Sequence, residues 1–340
     1  VPIMDTHHHA STRRPRVAVY TLGGTIASVP RDDGSDAVPR LSAEELLAAV
    51  PQASALADLE LVSFRQFPSG DLGLRDIAAL AAEIDSATNE IDGFVITQGT
   101  DTLEETSYLL DLILRTDRPV VLTGAMRNSG LPGADGPANI LGALRVALSP
   151  QARGLGPLVV FSDEIHLPRF VRKTHSSSVS AFTSPNAGPI GWINEDRVRI
   201  ALRPNSLTGT FDIPVSGDVP NVGIIAIGLG SPALDPAIVA AFDALVIQSF
   251  GGGHVPSFMV ESLADAASTK PVVLATRTGA GEIYESTYAF PGSERDLLDR
   301  GLISSGSLDA FKARLLLTAL LATGADREAV AKRFADEASQ

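Results

Sequence analysis

Short apolar runs recur along the chain: RVAVY, LELVSF, GFVIT, PVVLTG and PLVVFS, then VGIIAIG, ALVIQSF and PVVLATR. Each is about the length of a strand buried on both faces. Helical patterns lie between several of them. Ser42-Ala43-Glu44-Glu45 is a capping box that opens LSAEELLAAV. From Thr102 to Leu114, Leu103, Thr106, Leu109, Leu110 and Ile113 share one stripe, and Phe258 to Ala267 and Leu308 to Ala322 read similarly. Strands alternating with helices predict an α/β fold with mainly parallel sheets.

The alternation breaks between about Ser176 and Pro220, where Ser, Thr, Pro and Gly crowd together and SPNAGPIGW reads as loops and short strands. The pattern resumes at Val222. The predicted division is a disordered arm over 1–14, a larger N-terminal α/β domain over 15–203, a linker over 204–221 and a smaller C-terminal α/β domain over 222–340. A chain of 340 residues is long enough for two domains. With 44% hydrophobic but only 5% aromatic residues, its core is expected to be aliphatic.

Charge and composition narrow the function classes. A net charge of −13 argues against nucleic acid and anionic membranes as partners, since both attract clustered Lys and Arg. Without cysteine there is no disulfide, thiolate metal site or Cys nucleophile. No apolar run approaches the roughly 18 residues of a membrane helix, and no signal peptide is visible. The expected location is therefore cytoplasmic, with a processed secreted form left open. His7, His8 and His9 read as part of the arm rather than as a metal site, and no H-E-x-x-H set appears. Neither metal nor cofactor is expected.

Two strand ends carry the candidate chemistry. RVAVYTLGGTIAS (16–28) runs from a buried strand through Gly23 and Gly24 to Thr25. In an open parallel sheet, ligands bind beyond the carboxyl ends of the strands, and the glycines permit a sharp turn close to a ligand. The stretch lacks both G-x-G-x-x-G and the Lys of a phosphate-binding loop. A plain structural turn remains the competing explanation. GFVITQGTDTLEETSYLL (93–110) ends a second strand in Thr97-Gln98-Gly99-Thr100-Asp101. Thr25 and Thr100 are thus expected to face one cleft, with Asp101 suited to a substrate ammonium. The alternative is that Asp101 or Thr102 caps the following helix.

TLGGTIAS and GFVITQGTDTLEETSYLL resemble the two signature motifs of the bacterial L-asparaginase/glutaminase-asparaginase family. The likeness continues through VLTGAMRNSG, GADGPANI, FVRKTHSSSVSAFTSPNAGPIGWI and LDAFKARLLLTALL, covering about residues 15–338 in order. It implies a threonine amidohydrolase acting on L-asparagine, with weaker action on L-glutamine, in which Thr25 attacks the side-chain amide and Thr100, Asp101 and Lys173 assist. By the same resemblance Ser69, Gly70, Asp71, Gly24, Gly99 and Ala125 contact the substrate. A homotetramer built from close dimers, with sites shared between subunits, is also implied.

The sequence departs from the family in three places. No tyrosine lies between Ile26 and Gly70, where relatives carry one in a mobile loop, so Tyr284 or Tyr288 in GEIYESTYAFPGSE is the expected replacement. Gly70 stands where relatives have Gln. Gly251-Gly252-Gly253-His254 replaces an Asn-containing turn and puts His254 among the candidates. Glu294, with Glu282 and Glu285 as rivals, is the expected glutamate reaching a neighbouring site. A silent amino-acid-binding protein on the same scaffold is the alternative, though binding alone does not need a second Thr and a Lys. An amidotransferase subunit acting on tRNA would want basic patches, and none is seen.

Overall fold

The computed structural model describes residues 13–30, 37–39, 42–204, 210–214 and 218–339. The three N-terminal histidines, most of the expected arm and parts of the expected linker lie outside them. The first half of the chain runs β1 (Arg16–Thr21), a small hairpin of β2 (Ser28–Pro30) and β3 (Ala37–Pro39), α1 (Ala43–Ala48), α2 (Ala53–Leu56), β4 (Asp58–Ser63), α3 (Leu74–Ala87), β5 (Gly93–Thr97), α4 (Leu103–Ile113), β6 (Val120–Thr123), α5 (Gly136–Ala147) and β7 (Pro157–Phe161). Then come β8 (Glu164–His166), the short antiparallel pair β9 (Arg172–Lys173) and β10 (Phe182–Thr183), β11 (Gly191–Asn194) and β12 (Arg197–Ile200).

These strands make one eight-stranded sheet in the order β12-β11-β8-β7-β6-β5-β1-β4, with β9 and β10 outside it. From β7 to β4 every pairing is parallel; β8, β11 and β12 continue the sheet antiparallel. The switch to antiparallel pairing begins at β8, before the Pro- and Gly-rich break, and that break carries β10, β11 and β12. The parallel strands β1, β5, β6 and β7 are buried on both faces, as their unbroken apolar runs require, whereas β4 at the edge is partly exposed. Ser42 caps α1 as expected: the Glu45 amide donates to its hydroxyl at 3.3 Å, and the Ser42 amide donates to the Glu45 carboxylate at 2.8 Å.

The second half forms a fully parallel four-stranded sheet in the order β13 (Val222–Ala226), β14 (Ala244–Ser249), β15 (Val272–Thr276), β16 (Ile303–Ser304). Its helices are α6 (Pro236–Ala240), α7 (Val260–Thr269), α8 (Glu294–Asp299), α9 (Ala310–Ala322) and α10 (Arg327–Ala338). Helix α9 packs on α4 and also on β13, β14 and β15. It was expected to be one-sided, yet Ala313, Leu315, Leu316, Leu317 and Leu320 are all buried, because both halves of the molecule cover it. No helix among the described residues is long and apolar enough to cross a membrane.

Candidate functional site

The sheet register brings four strand ends level. Thr21 pairs with Ser63 of β4 and Thr97 of β5, and Thr97 pairs with Thr123 of β6. The four loops that follow lie side by side. The Leu22 amide donates to Thr97 O at 2.9 Å, the Phe67 amide to Leu22 O at 3.1 Å, and the Gln98 amide to Thr123 O at 3.0 Å. These bonds extend the strand ladder by one residue and fix the loop roots rigidly.

Gly24 (φ +85°) and Gly99 allow the loops to touch. A Cβ on Gly24 would lie 2.1 Å from Gly99 Cα, and one on Gly99 would lie 2.9 Å from Ser69 Cβ. Real side-chain carbons do not approach backbone that closely, so the double glycine is a packing requirement. Thr25 and Thr100 thus branch from two backbones in direct contact. Thr25 is half-buried at the start of a single 3₁₀ turn, and Thr100 is buried.

Thr102 does not cap α4 with its side chain. Its hydroxyl instead donates to Ser69 O at 2.9 Å and accepts from Gln98 Nε2 at 3.0 Å; Gln98 Nε2 also donates to Thr106 at 3.0 Å. Thr102 therefore ties the loop after β4 to the loop after β5. The capping alternative does not account for the Thr102 hydroxyl. Ser69 is buried against Gly99, while Gly70 and Asp71 complete an exposed 3₁₀ turn.

Lys173 reaches the cluster from β9. Its Nζ donates to Thr100 Oγ1 at 2.8 Å and to Asp101 Oδ1 at 2.5 Å. The Lys173 amide donates to the Glu104 carboxylate in the first turn of α4. Burial raises the Glu104 carboxyl above its ordinary range, opposed by the Lys312 charge and by that amide. Asp101 is largely exposed, whereas the Lys173 side chain is mostly covered. One ammonium thus holds a buried hydroxyl and a solvent-facing carboxylate together. Opposite Lys173 in the pair stands Phe182, stacked on Phe161 of β7 with centroids 4.3 Å apart. That stack fastens the small sheet to the large one.

Ala125, buried, follows β6. Its loop is held by Asp135, which accepts from the Met126 and Arg127 amides, and by Asn139, whose Nδ2 donates to Gly124 O at 3.0 Å and to Asp135 at 3.1 Å. Nothing in the sequence signals Asp135, Asn139 and Gln98 as loop braces, and it suggests Thr102 only as a helix cap. They lie inside GADGPANI and TQGTDT, but a polar residue that braces a loop reads the same in sequence as one exposed to solvent.

The candidates from the second half form a separate cluster. His254 Nε2 lies 3.1 Å from Glu294 Oε2, and Glu294 Oε1 accepts the amides of Thr287 (2.8 Å) and Tyr288 (2.7 Å). The His254 ring meets Tyr288 and Phe290 edge-on. The Tyr284 ring covers Gly252, and Glu282 and Glu285 are exposed. Burial raises the Glu294 carboxyl, but the Tyr288 and Thr287 amides, its own amide and His254 more than offset this and hold it below the ordinary range. Within this chain these residues bond to one another and not to the Thr100–Lys173 group. No group of three His, Cys, Asp or Glu among the described residues is arranged to hold a metal ion.

Comparison with known proteins shows which family the chain resembles. Residues 16–206 match the family described as "Asparaginase, N-terminal", and residues 222–334 match "Glutaminase/Asparaginase C-terminal domain". The chain is 38% identical over 326 residues to a probable L-asparaginase of Deinococcus radiodurans, covering 94% of this chain and 97% of the relative. It is 33% identical over 341 residues to L-asparaginase 2 of Escherichia coli, covering 96% and 94%. Its fold is similar to the crystal structure of a probable cytoplasmic L-asparaginase from Campylobacter jejuni, with a TM-score of 0.82 and 31% identity over 95% of this chain and 99% of that one.

Proposed function

The chain belongs to the asparaginase family and is an amidohydrolase, and we propose that it hydrolyses the side-chain amide of L-asparagine to L-aspartate and ammonia through Thr25. The observation that carries this reading is the bonding of Lys173 Nζ to both Thr100 Oγ1 and Asp101, on a loop that touches the one bearing Thr25.

The Thr25 oxygen attacks the amide carbon, and its proton leaves with ammonia. The resulting aspartyl ester is then cleaved by water, which regenerates the hydroxyl. Loop amides at the strand ends are the donors available to the developing oxyanion. Lys173 fills an acceptor position on Thr100 Oγ1. The Thr100 proton is therefore turned away from Lys173, available to the leaving nitrogen, and the second lone pair of the oxygen can accept from the attacking water. Asp101 gives one oxygen to Lys173 and keeps the other for the substrate α-ammonium. Ser69 and the Gly70–Asp71 turn receive the α-carboxylate, and Ala125 lines the amide side.

In this proposal the working form is a homotetramer of close dimers, located in the cytoplasm and dividing into domains around a linker at 204–221. Tyr284 or Tyr288 acts on a neighbouring subunit's Thr25 in place of the loop tyrosine, and Glu294 braces the turn that presents them. Each Tyr→Phe change is read by turnover; if both variants keep the full rate, that part fails.

Hydroxylamine tests the chemistry, because it intercepts an acyl ester. With L-asparagine the wild-type chain is expected to form aspartyl hydroxamate, and Thr25→Ala none; L-glutamine, run in parallel, is expected to react more slowly. Hydroxamate formed at the full rate by Thr25→Ala would move the nucleophile elsewhere.

A further inference from the structure

Lys312 lies in the first turn of α9 with its side chain only 1% exposed. A buried ammonium is costly unless paired and hydrogen-bonded, and an apolar residue of similar length would fill the slot without that cost. What the lysine adds is reach. Its Nζ donates to Val171 O at 2.5 Å and Arg169 O at 3.3 Å, and stands 3.6 Å from Asp309 Oδ2. Asp309 in turn accepts the Phe311 amide at 2.9 Å and the Lys312 amide at 3.1 Å. Burial lowers the Lys312 pKa, while Asp309 and Glu104 oppose the fall.

Val171 lies two residues before Lys173, and Glu104 accepts the Lys173 amide. Both ends of this segment are therefore gripped, one by Lys312 and the other by α4, which directly follows the loop bearing Thr100 and Asp101. We infer that Lys312 is a positioning residue: the second half of the chain uses it to hold the β9 backbone so that Lys173 meets Thr100 and Asp101. Other ties also cross the halves, among them the largely buried Arg169–Glu337 pair at 3.2 Å and the exposed bond from Arg172 to Gly279 O at 3.1 Å, but Lys312 is the one that grips Val171, directly before β9.

The inference rests on the proposed role of Lys173, and a double-mutant cycle separates the two. Lys312→Met keeps the aliphatic stem and removes the ammonium. In the wild-type background we expect kcat for L-asparagine to fall at least about tenfold with KM within about threefold, because a misplaced group is lost chiefly from the transition state. In the Lys173→Met background the same change is expected to cost less than about twofold, since the group it positions is already gone. Lys312→Arg, which keeps the cation, is expected to recover part of the loss. Thermal melts confirm that each variant is folded; if Lys312→Met is not, the cycle is run with Lys312→Arg. An equal loss in both backgrounds, or no loss at all, overturns the inference. Full turnover by Lys173→Met alone overturns the Lys173 assignment and this inference together.

Discussion

Replacing Gly24 by alanine tests whether the strand-end packing governs catalysis. The new Cβ would lie 2.1 Å from Gly99 Cα and 2.2 Å from Gly99 N, whereas ordinary contact begins near 3.4 Å, so the loops must part by about 1.3 Å. Backbone cannot swing aside as a side chain can. Gly99 is also wedged on Ser69, and Gln98 beside it is bonded to β6. Two effects follow. An L residue at φ +85° costs about 1–2 kcal/mol, and the displaced loop carries Thr100 with it. A shift near 1 Å at reacting groups costs on the order of 10²-fold in rate, so kcat for ammonia release is expected to fall about a hundredfold. Gly154→Ala is the control, since Gly154 has φ +71° but no atom within 4 Å. It bears the backbone strain alone, so it loses stability and keeps its rate. If Gly24→Ala retains kcat within about threefold of wild type while folded, the reasoning from close approach is wrong.

Other regions yield independent tests. Lys173→Met is expected to lower kcat by about 10²- to 10⁴-fold, read in the ammonia assay, as for loss of a group that moves or holds a catalytic proton. Phe182→Ala removes the stack on Phe161 and opens a hole between the small and large sheets; denaturant melts should show a loss of about 3–5 kcal/mol. His166 is fully buried beside Ser184, with Nδ1 3.0 Å from its hydroxyl, and burial pushes its pKa down to about 4. The unfolded chain binds this proton near pH 6.5 and the folded chain does not. Stability is therefore full above that value and falls by up to about 3 kcal/mol as the pH drops to 4. His166→Gln should flatten that part of the stability–pH curve, and an unchanged slope would mean that another group is responsible.

The fold was legible wherever one physical demand dominated. Strands buried on both faces must be continuously apolar, and all eight apolar runs are strands. Helix α3 was less visible because its stripe of Ile77, Leu80, Ala81 and Ile84 is diluted by alanine, and α5 because it opens on Gly136-Pro137. The antiparallel extension through β8, β11 and β12 was hidden for another reason: β8 is only three residues long, and the half-exposed β11 and β12 lie among turn residues and look like loops. At the site, the threonines announced themselves by following glycine turns at strand ends. Lys173 did not, since a lysine two residues into a short strand is informative only once Thr100 and Asp101 are placed beside it. Lys312 was harder still. Its burial depends on the two halves of the molecule meeting over α9, and no local pattern encodes that contact.

The most direct measurement is ammonia release from L-asparagine by the folded chain, with Thr25→Ala beside it. We expect steady turnover by the wild type and a loss of at least about a thousandfold in the variant, as for removal of an enzyme's nucleophile. A folded wild-type chain that releases no ammonia, or a Thr25→Ala variant that releases it at the wild-type rate, would contradict the account.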